Sequence, residues 1–291
     1  MRTFSVVTIA FIMAFLSSGS TIFAQDSKPE VYEKIHIPHK KPIPYPYTRE
    51  ADVMWTKTIW RMIDLREKMN LPLFFPTKPI GERMSLISLL FYGIDNEGLQ
   101  TYDPYKGVDE FKVPMSKEDL ERQMDNVPKD VQVADTTGQM VTKHISGERK
   151  MDQIKKILVK EKWFFDKNYS TMEVRILGLC PIRVYPREIK GAANQDEENA
   201  EMLLKEVCWI YYPEARSLLA SHPVYNTFND AQQISFDDLF VQRRFSSYIY
   251  AESNVYDNRR VEEYTAGLET LLESDRIKES IMNTEHDLWE Y

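Results

Sequence analysis

The chain has 291 residues, 43% of them hydrophobic and 28% charged, with 45 acids against 37 Lys and Arg for a formal charge of −8. Enough apolar residues are present to build a real core. The acidic balance argues against a nucleic-acid binder, which needs clustered Lys and Arg to neutralise phosphates. Gly is scarce at 10 and Tyr plentiful at 16, a composition suited to packing surfaces and interfaces.

Residues 1–24 have the layout of a secretory signal peptide: Arg2, an apolar run over 4–16, small residues from Ser17, and Ala24 before Gln25. The run is too short to span a membrane, which takes about 20 residues, and no cysteine near the cut invites a lipid. Cleavage after Ala24 removes one positive charge and leaves chain enough for one large domain or two small ones. No later stretch reaches spanning length, so no direct membrane insertion is expected.

Residues 25–50 hold five prolines (Pro29, Pro38, Pro42, Pro44, Pro46) and read as an extended arm. It is either a disordered linker or an arm that docks on a neighbouring subunit. In the second case Pro44, Tyr45 and Tyr47 are the anchors.

From residue 51 the spacing of Trp55, Ile59, Met62, Ile63 and Met69 predicts a helix, with Asp52 as N-cap and Pro72 as its end. Trp55 and Trp60, five apart, would point to different sides, one to the core and one to a partner. A second helix fits 81–94. A third, short one opens at Ser116, with Asp119 completing a capping box. Residues 127–150 are polar with turn signals at Pro128, Gly138 and Gly147.

Residues 156–180 read as a β-hairpin. Ile157, Val159 and Trp163 alternate with lysines, 166–170 is turn chemistry, and Met172, Val174 and Ile176 alternate with Glu173 and Arg175. Gly178, in an uncharged run, marks a bulge or a close backbone approach. Residues 187–201 form an acidic exposed loop, and 204–213 a third strand carrying Cys208. A helix is predicted over 236–252 with Ser235 as N-cap and Asp238 three residues on. One or two more helices end the chain, with 235–291 as a helical C-terminal part. The order of helices, sheet, helices argues for a single α+β domain over 51–291, with a central antiparallel hairpin or sheet.

Candidate chemistry is sparse. Cys180 and Cys208 both sit in apolar, strand-like contexts with nothing cationic nearby to favour a thiolate. No paired spacing suggests zinc. They either bridge, which would contribute about 3–3.5 kcal/mol in the chain-entropy model, or stay as buried thiols. The five histidines (His36, His39, His144, His222, His286) form no metal pattern. Acid pairs such as Asp237–Asp238, Glu262–Glu263 and the run from Asp196 to Glu198 are what chance gives with 45 acids. No nucleophile elbow, phosphate loop or dinucleotide fingerprint is present. No cofactor is implied. The stretch RRFSSYIY from Arg243 reads as core packing plus interface.

Four separated blocks resemble the GldN/PorN family of the type IX secretion and gliding-motility machinery of the Bacteroidota. They are READVMWTKTIWRMIDLREKMNLPLFFP from Arg49, KEKWFFDKNYSTMEVRILGLCPI from Lys160, SFDDLFVQRRFSSYIYAESNV from Ser235, and EHDLWEY from Glu285. The resemblance implies a non-enzymatic structural subunit of a periplasmic ring. The implied partners are a GldK/PorK-like outer-membrane lipoprotein, the periplasmic domain of a GldM/PorM-like motor protein, and further copies of this chain. An exported hydrolase or ligand-binding domain using the acidic clusters is the alternative.

Overall fold

The hairpin legible in the sequence is the longest paired unit of the protein. Its first strand, β5, spans Ile154–Asp166, and its second, β6, spans Thr171–Pro186; they pair antiparallel from Asp166↔Thr171 to Ile154↔Arg183. Asp166 Oδ1 accepts the Asn168 N–H at 2.9 Å, and Ser170 takes the left-handed conformation that closes the turn. A computed structural model describes residues 36–80, 83–107, 109–126, 129–134, 140–145, 147, 149–186, 202–226, 229 and 231–289. The signal-peptide expectation, the first part of the arm, Pro128 and Gly138, and the acidic loop at 187–201 lie outside those residues.

The predicted helix over 51–70 is instead a strand. β1, Val53–Asp64, runs antiparallel along β5 from Val53↔Asp166 to Asp64↔Lys156. The helical reading failed for a physical reason. Ile59, Met62 and Ile63 are all buried, and the i, i+3, i+4 spacing imitates a helical stripe. In a strand covered on both sides, Ile59 and Ile63 face one layer and Met62 the other. The β-branched and aromatic residues of this segment suit that pleated, buried setting.

The predicted helix over 236–252 also breaks in two. After the segment Phe236–Val241, Arg243 turns left-handed (φ 54°) and the Arg244 N–H closes on Leu239 O at 2.9 Å. The chain then forms strand β11, Tyr248–Glu252, which pairs with β1. The third expected strand divides as well. It becomes β7 (Met202–Glu206), β8 (Trp209–Tyr211) and then a helix, Tyr212–Ala220, with Pro213 in its first turn, where proline is tolerated. With β2 (Thr101–Tyr102) the sheet has seven strands in the order β11-β1-β5-β6-β8-β2, and β7 also pairs β6. Two small antiparallel pairs stand apart: β3 (Lys129–Ala134) with β4 (Met140–Ile145), inside the segment read as polar turns, and β9 (Pro223–Val224) with β10 (Ile234–Ser235).

The helices among the described residues are α1 (Leu71–Phe74), α2 (Leu86–Tyr92), α3 (Lys117–Gln123), α4 (Tyr212–Ala220), α5 (Phe236–Val241) and α6 (Leu268–Trp289). The fold class is α+β. Helix α2 starts later than expected because Ser85 caps it, accepting the Ser88 N–H at 3.2 Å. Ser116 caps α3 and Ser235 caps α5, the latter in a full capping box with Asp238.

One face of the sheet packs against α2, α4 and α5. Ile63, Ile157, Val159, Leu179 and Ile210 meet Leu86, Leu90, Leu219, Phe236 and Phe240 in the main core. The other face carries a smaller cluster of Met62, Leu158, Cys180, Ile182, Trp209 and Tyr250. Helix α6 covers the β11 edge: Ser274 Oγ accepts the Ile249 N–H at 2.7 Å, while Ile277 and Ile281 pack on Ile59, Ile249 and Val261. That edge donor is thereby satisfied.

No disulfide staples this sheet. Cys180 and Cys208 are free, fully buried thiols. Cys180 belongs to the Trp209 and Tyr250 cluster and Cys208 to the main core, so their side chains enter different clusters. Burial pushes the Cys208 thiol up to about 12 and the Cys180 thiol well above its ordinary value, so neither is a thiolate.

Of the two readings of Gly178, a bulge or a close backbone approach, the pairing shows the first, and a side chain also packs closely on the glycine. The pairing with β5 shifts by a residue between Lys160↔Gly178 and Glu161↔Ile176. A Cβ at Gly178 would overlap the tip of the Phe111 ring, 2.7 Å from its Cε1. We expect Gly178→Ala to destabilise the fold by about 1–3 kcal/mol through overpacking. Urea unfolding would measure it, and shortening Phe111 to Leu in the same chain should recover part of the loss. Equal midpoints for wild type and Gly178→Ala would contradict the close approach.

Candidate functional site

Two surfaces concentrate polar side chains. The first receives the end of the proline-rich segment. Residues 40–49 carry no helix or strand, yet the segment is tied to the fold. Ile37 is buried, Lys40 forms an ion pair with Asp238, and Arg175 donates to Pro46 O at 2.7 Å and to Thr48 Oγ1 at 2.9 Å. The Tyr45 ring lies 4.3 Å from the Arg216 guanidinium and 5.3 Å from that of Arg175. Burial raises the Tyr45 phenol above its ordinary pKa.

Beneath Tyr45 sits a buried ion pair. Arg216 on α4 donates to both Asp237 oxygens, at 3.0 and 3.1 Å, and the Tyr212 hydroxyl donates to the same carboxylate at 2.8 Å. This is the bidentate arrangement that makes an Arg–carboxylate pair strong. Asp237, read from sequence as one of a chance pair, is thus structural, and its neighbour Asp238 is a helix cap. Tyr45, expected to anchor on a neighbour, is used inside the chain. Pro44 stays exposed, and Tyr47 is 89% exposed.

Trp55 and Trp60 do point to opposite sides, because residues five apart in a strand face opposite ways. Both are half-buried. Trp55 packs on the cluster under α6, and Trp60 on the Met62 and Trp209 cluster, where its indole N–H donates to Glu110 at 3.0 Å.

The second surface is a cleft of about 260 Å³ on the Trp60 side of the sheet. Trp60, Trp209 and Tyr250 wall it, and Asp103, Asp109, Glu110 and Glu206 line it with Lys106 and Arg260. Its acids differ in how they are compensated. Asp103 is buried, but the Tyr105 and Lys106 N–H groups and the Lys106 ammonium at 3.1 Å hold its carboxyl below the usual range. Lys112 does the same for Asp109 at 2.6 Å. Glu110 binds Lys160 at 2.5 Å. Glu206 is different. Burial raises its pKa, against the pull of Arg260 at 3.6 Å. Burial also takes the Tyr250 phenol up to about 12.

The site does not present a free acid and base side by side, since three of its four acids already hold a lysine. Among the described residues no group of three His, Cys, Asp or Glu could hold a metal ion. His222 is bound to the preceding helix α4 through Leu218 O, and His36 and His39 are exposed. Sequence reasoning missed the cleft because its residues come from β1, β5, β7, β8, β11 and two loops. The one local signal is Glu206, an acid two residues before the buried Cys208 and next to Trp209.

A family model described as "Gliding motility associated protein GldN" matches residues 48–290. The chain belongs to the GldN family. The matched region holds every strand and helix described above, including the cleft and the Arg216–Asp237 pair. Pro44, Tyr45 and Tyr47 precede it. No curated protein matches the chain. No helix among the described residues of this GldN-family protein is long and apolar enough to cross a membrane.

Two outcomes follow from these polar groups. Arg216→Met leaves the Asp237 carboxylate buried without its cation, and should cost about 3–5 kcal/mol in chemical denaturation; a loss under 1 kcal/mol would mean the pair is dispensable. Glu206→Gln should do the reverse. Folding raises the Glu206 pKa, so its charge opposes folding at neutral pH, and that penalty fades as pH falls through the raised value. The variant should therefore melt higher than wild type at pH 7, with the gap closing towards about pH 4, where unfolded Glu also takes up its proton. A lower melting point at pH 7 would reverse the assignment.

Proposed function

We propose that this protein is a non-enzymatic structural subunit of the type IX secretion and gliding-motility machinery. In this reading it acts in the periplasm, in a ring held at the outer membrane by a GldK/PorK-like lipoprotein and touched by the periplasmic domain of a GldM/PorM-like motor protein. The observation that carries the reading is the family match over residues 48–290 to gliding-motility-associated proteins.

Physical features support it. A ring needs heterologous contacts, in which one patch meets a different patch on the next copy. The chain keeps large apolar side chains at the surface in separate places: Ile43 and Tyr47 on the arm, Val255 and Tyr256 before α6, and Leu268 and Leu272 on α6. Aromatic and apolar anchors of this kind are what interface cores use. The rival reading, an exported hydrolase, would need an acid and a base free to exchange protons with substrate. Asp103, Asp109 and Glu110 are instead held in ion pairs.

Co-expression of the mature chain with its lipoprotein partner tests this directly. Light scattering should find a large assembly containing both, and Tyr47→Asp should weaken it while leaving the melting point within about 1 °C, because Tyr47 is a surface side chain. A monodisperse monomer in the presence of the partner would overturn the proposal.

A further inference from the structure

We propose that the outward side of the proline-rich arm of one copy docks on the exposed side of helix α6 of a second copy, with Tyr47 entering the groove at the start of that helix. The inference deepens the reading of this chain as a ring subunit, and rests on it in taking the occupant to be another copy.

The arm has two sides. Its inward side is spent on its own chain, through Tyr45 against Arg216 and Arg175, the Arg175 bond to Pro46 O, and the Lys40–Asp238 pair. Its outward side touches little: Ile43 is 75% exposed and Tyr47 89%. Pro42, Pro44 and Pro46 each fix φ, and Arg175 ties down the residues on either side of Tyr47, at Pro46 O and Thr48 Oγ1. A segment held in this way loses little conformational freedom when it docks.

Helix α6 has two apolar sides as well. Ile277 and Ile281 face the sheet, with Thr270 and Ser274 buried in line with them. Leu268, Leu271 and Leu272 lie off that line and are exposed. Leu271 also lines an open groove of about 470 Å³ with Tyr248, Glu262, Gly267 and Thr270. Glu262 accepts the Tyr248 hydroxyl at 3.4 Å and keeps lone pairs for a second donor. An aromatic and apolar wall beside one carboxylate suits a tyrosine, whose ring packs while its hydroxyl donates.

Charge selects the pairing. Residues 36–49 hold Lys40, Lys41 and Arg49 and no acid. Residues 262–279 hold six acids against Arg276 and Lys278. Glu273 is paired with Arg276, while Glu263, Glu269, Asp275 and Glu279 are exposed and form no ion pair among the described residues. Two arms would repel each other, and so would two α6 faces, whereas arm and helix attract. The contact is therefore between unlike patches, the heterologous kind that a ring requires.

Analytical ultracentrifugation of the mature chain tests this with two surface variants, Tyr47→Asp and Leu272→Asp, each expected to keep the wild-type melting point. Wild type should self-associate at high micromolar concentration, and less so as salt rises. Each variant alone should stay monomeric. Mixed, the two should form a one-to-one dimer and nothing larger, because one brings an intact helix face and the other an intact arm. A monomeric wild type, or a mixture that stays monomeric, would overturn the proposal. With Tyr47 replaced by a photo-reactive benzoyl-phenylalanine, crosslinks should reach residues 262–272 of another copy. Crosslinks to position 47 of the other copy, or to the lipoprotein partner alone, would also overturn it. Arm-to-helix association in a chain that never assembles with the lipoprotein partner would instead sink the secretion-ring reading and leave this contact standing.

Discussion

The backbone pairing of β1 with β5 and of β5 with β6 is the constraint on which the rest of this structure depends. Three long antiparallel strands in the middle of the sheet have both faces covered over much of their length. Such strands must present apolar side chains in both directions, and any charge on them must bring its own partner. Glu161 shows the second requirement. It is fully buried on β5, and the Arg243 guanidinium at 2.9 Å and the Trp163 indole N–H at 2.9 Å answer it. The left-handed turn at Arg243, which ends α5 early, is what delivers that guanidinium.

The two sides of the sheet then do different work. The helical side is a conventional core, sealed by α2, α4 and α5 and extended by the Arg216–Asp237–Tyr212 group, on which the proline-rich segment lies. The opposite side is only partly covered. Its cluster is small, and the gap left beside Trp209 and Tyr250 becomes a cleft whose four carboxylates are matched by Lys106, Lys112, Lys160 and Arg260. Apolar packing is thus concentrated on one face of the sheet and polar, partly open surface on the other.

The region matched by the GldN family model, residues 48–290, holds both faces of this sheet. One acid pair that sequence alone could have offered to a hydrolase is engaged in a capping box and ion pairs. In that pair Asp237 anchors Arg216, and Asp238 caps α5 and meets Lys40. Exposed apolar residues lie on the arm and around α6, among them Ile43, Tyr47, Val255 and Leu268, and others such as Met54, Phe75, Ile80 and Tyr169 lie elsewhere on the surface.

Much of the design was legible from local sequence. The β5–β6 hairpin, its turn, the special position of Gly178, the caps at Ser116 and Ser235, the α+β class and the family likeness all rest on neighbours a few residues apart, where turn chemistry, alternation and capping act. What only the tertiary structure decided depends on segments far apart in the chain. Residues 53–64 became a strand because β5 and β11 lie on either side of them, and a doubly covered strand has no distinct period to read. Tyr248–Glu252 left its predicted helix for the free edge of β1. Cys180 and Cys208 stay unlinked because their side chains enter different core clusters, and Tyr45 turned inward because Arg216 and Arg175 meet it there. The cleft is invisible in any window of sequence, since its aromatic walls and its acids come together only when β1, β7, β8 and β11 occupy one sheet.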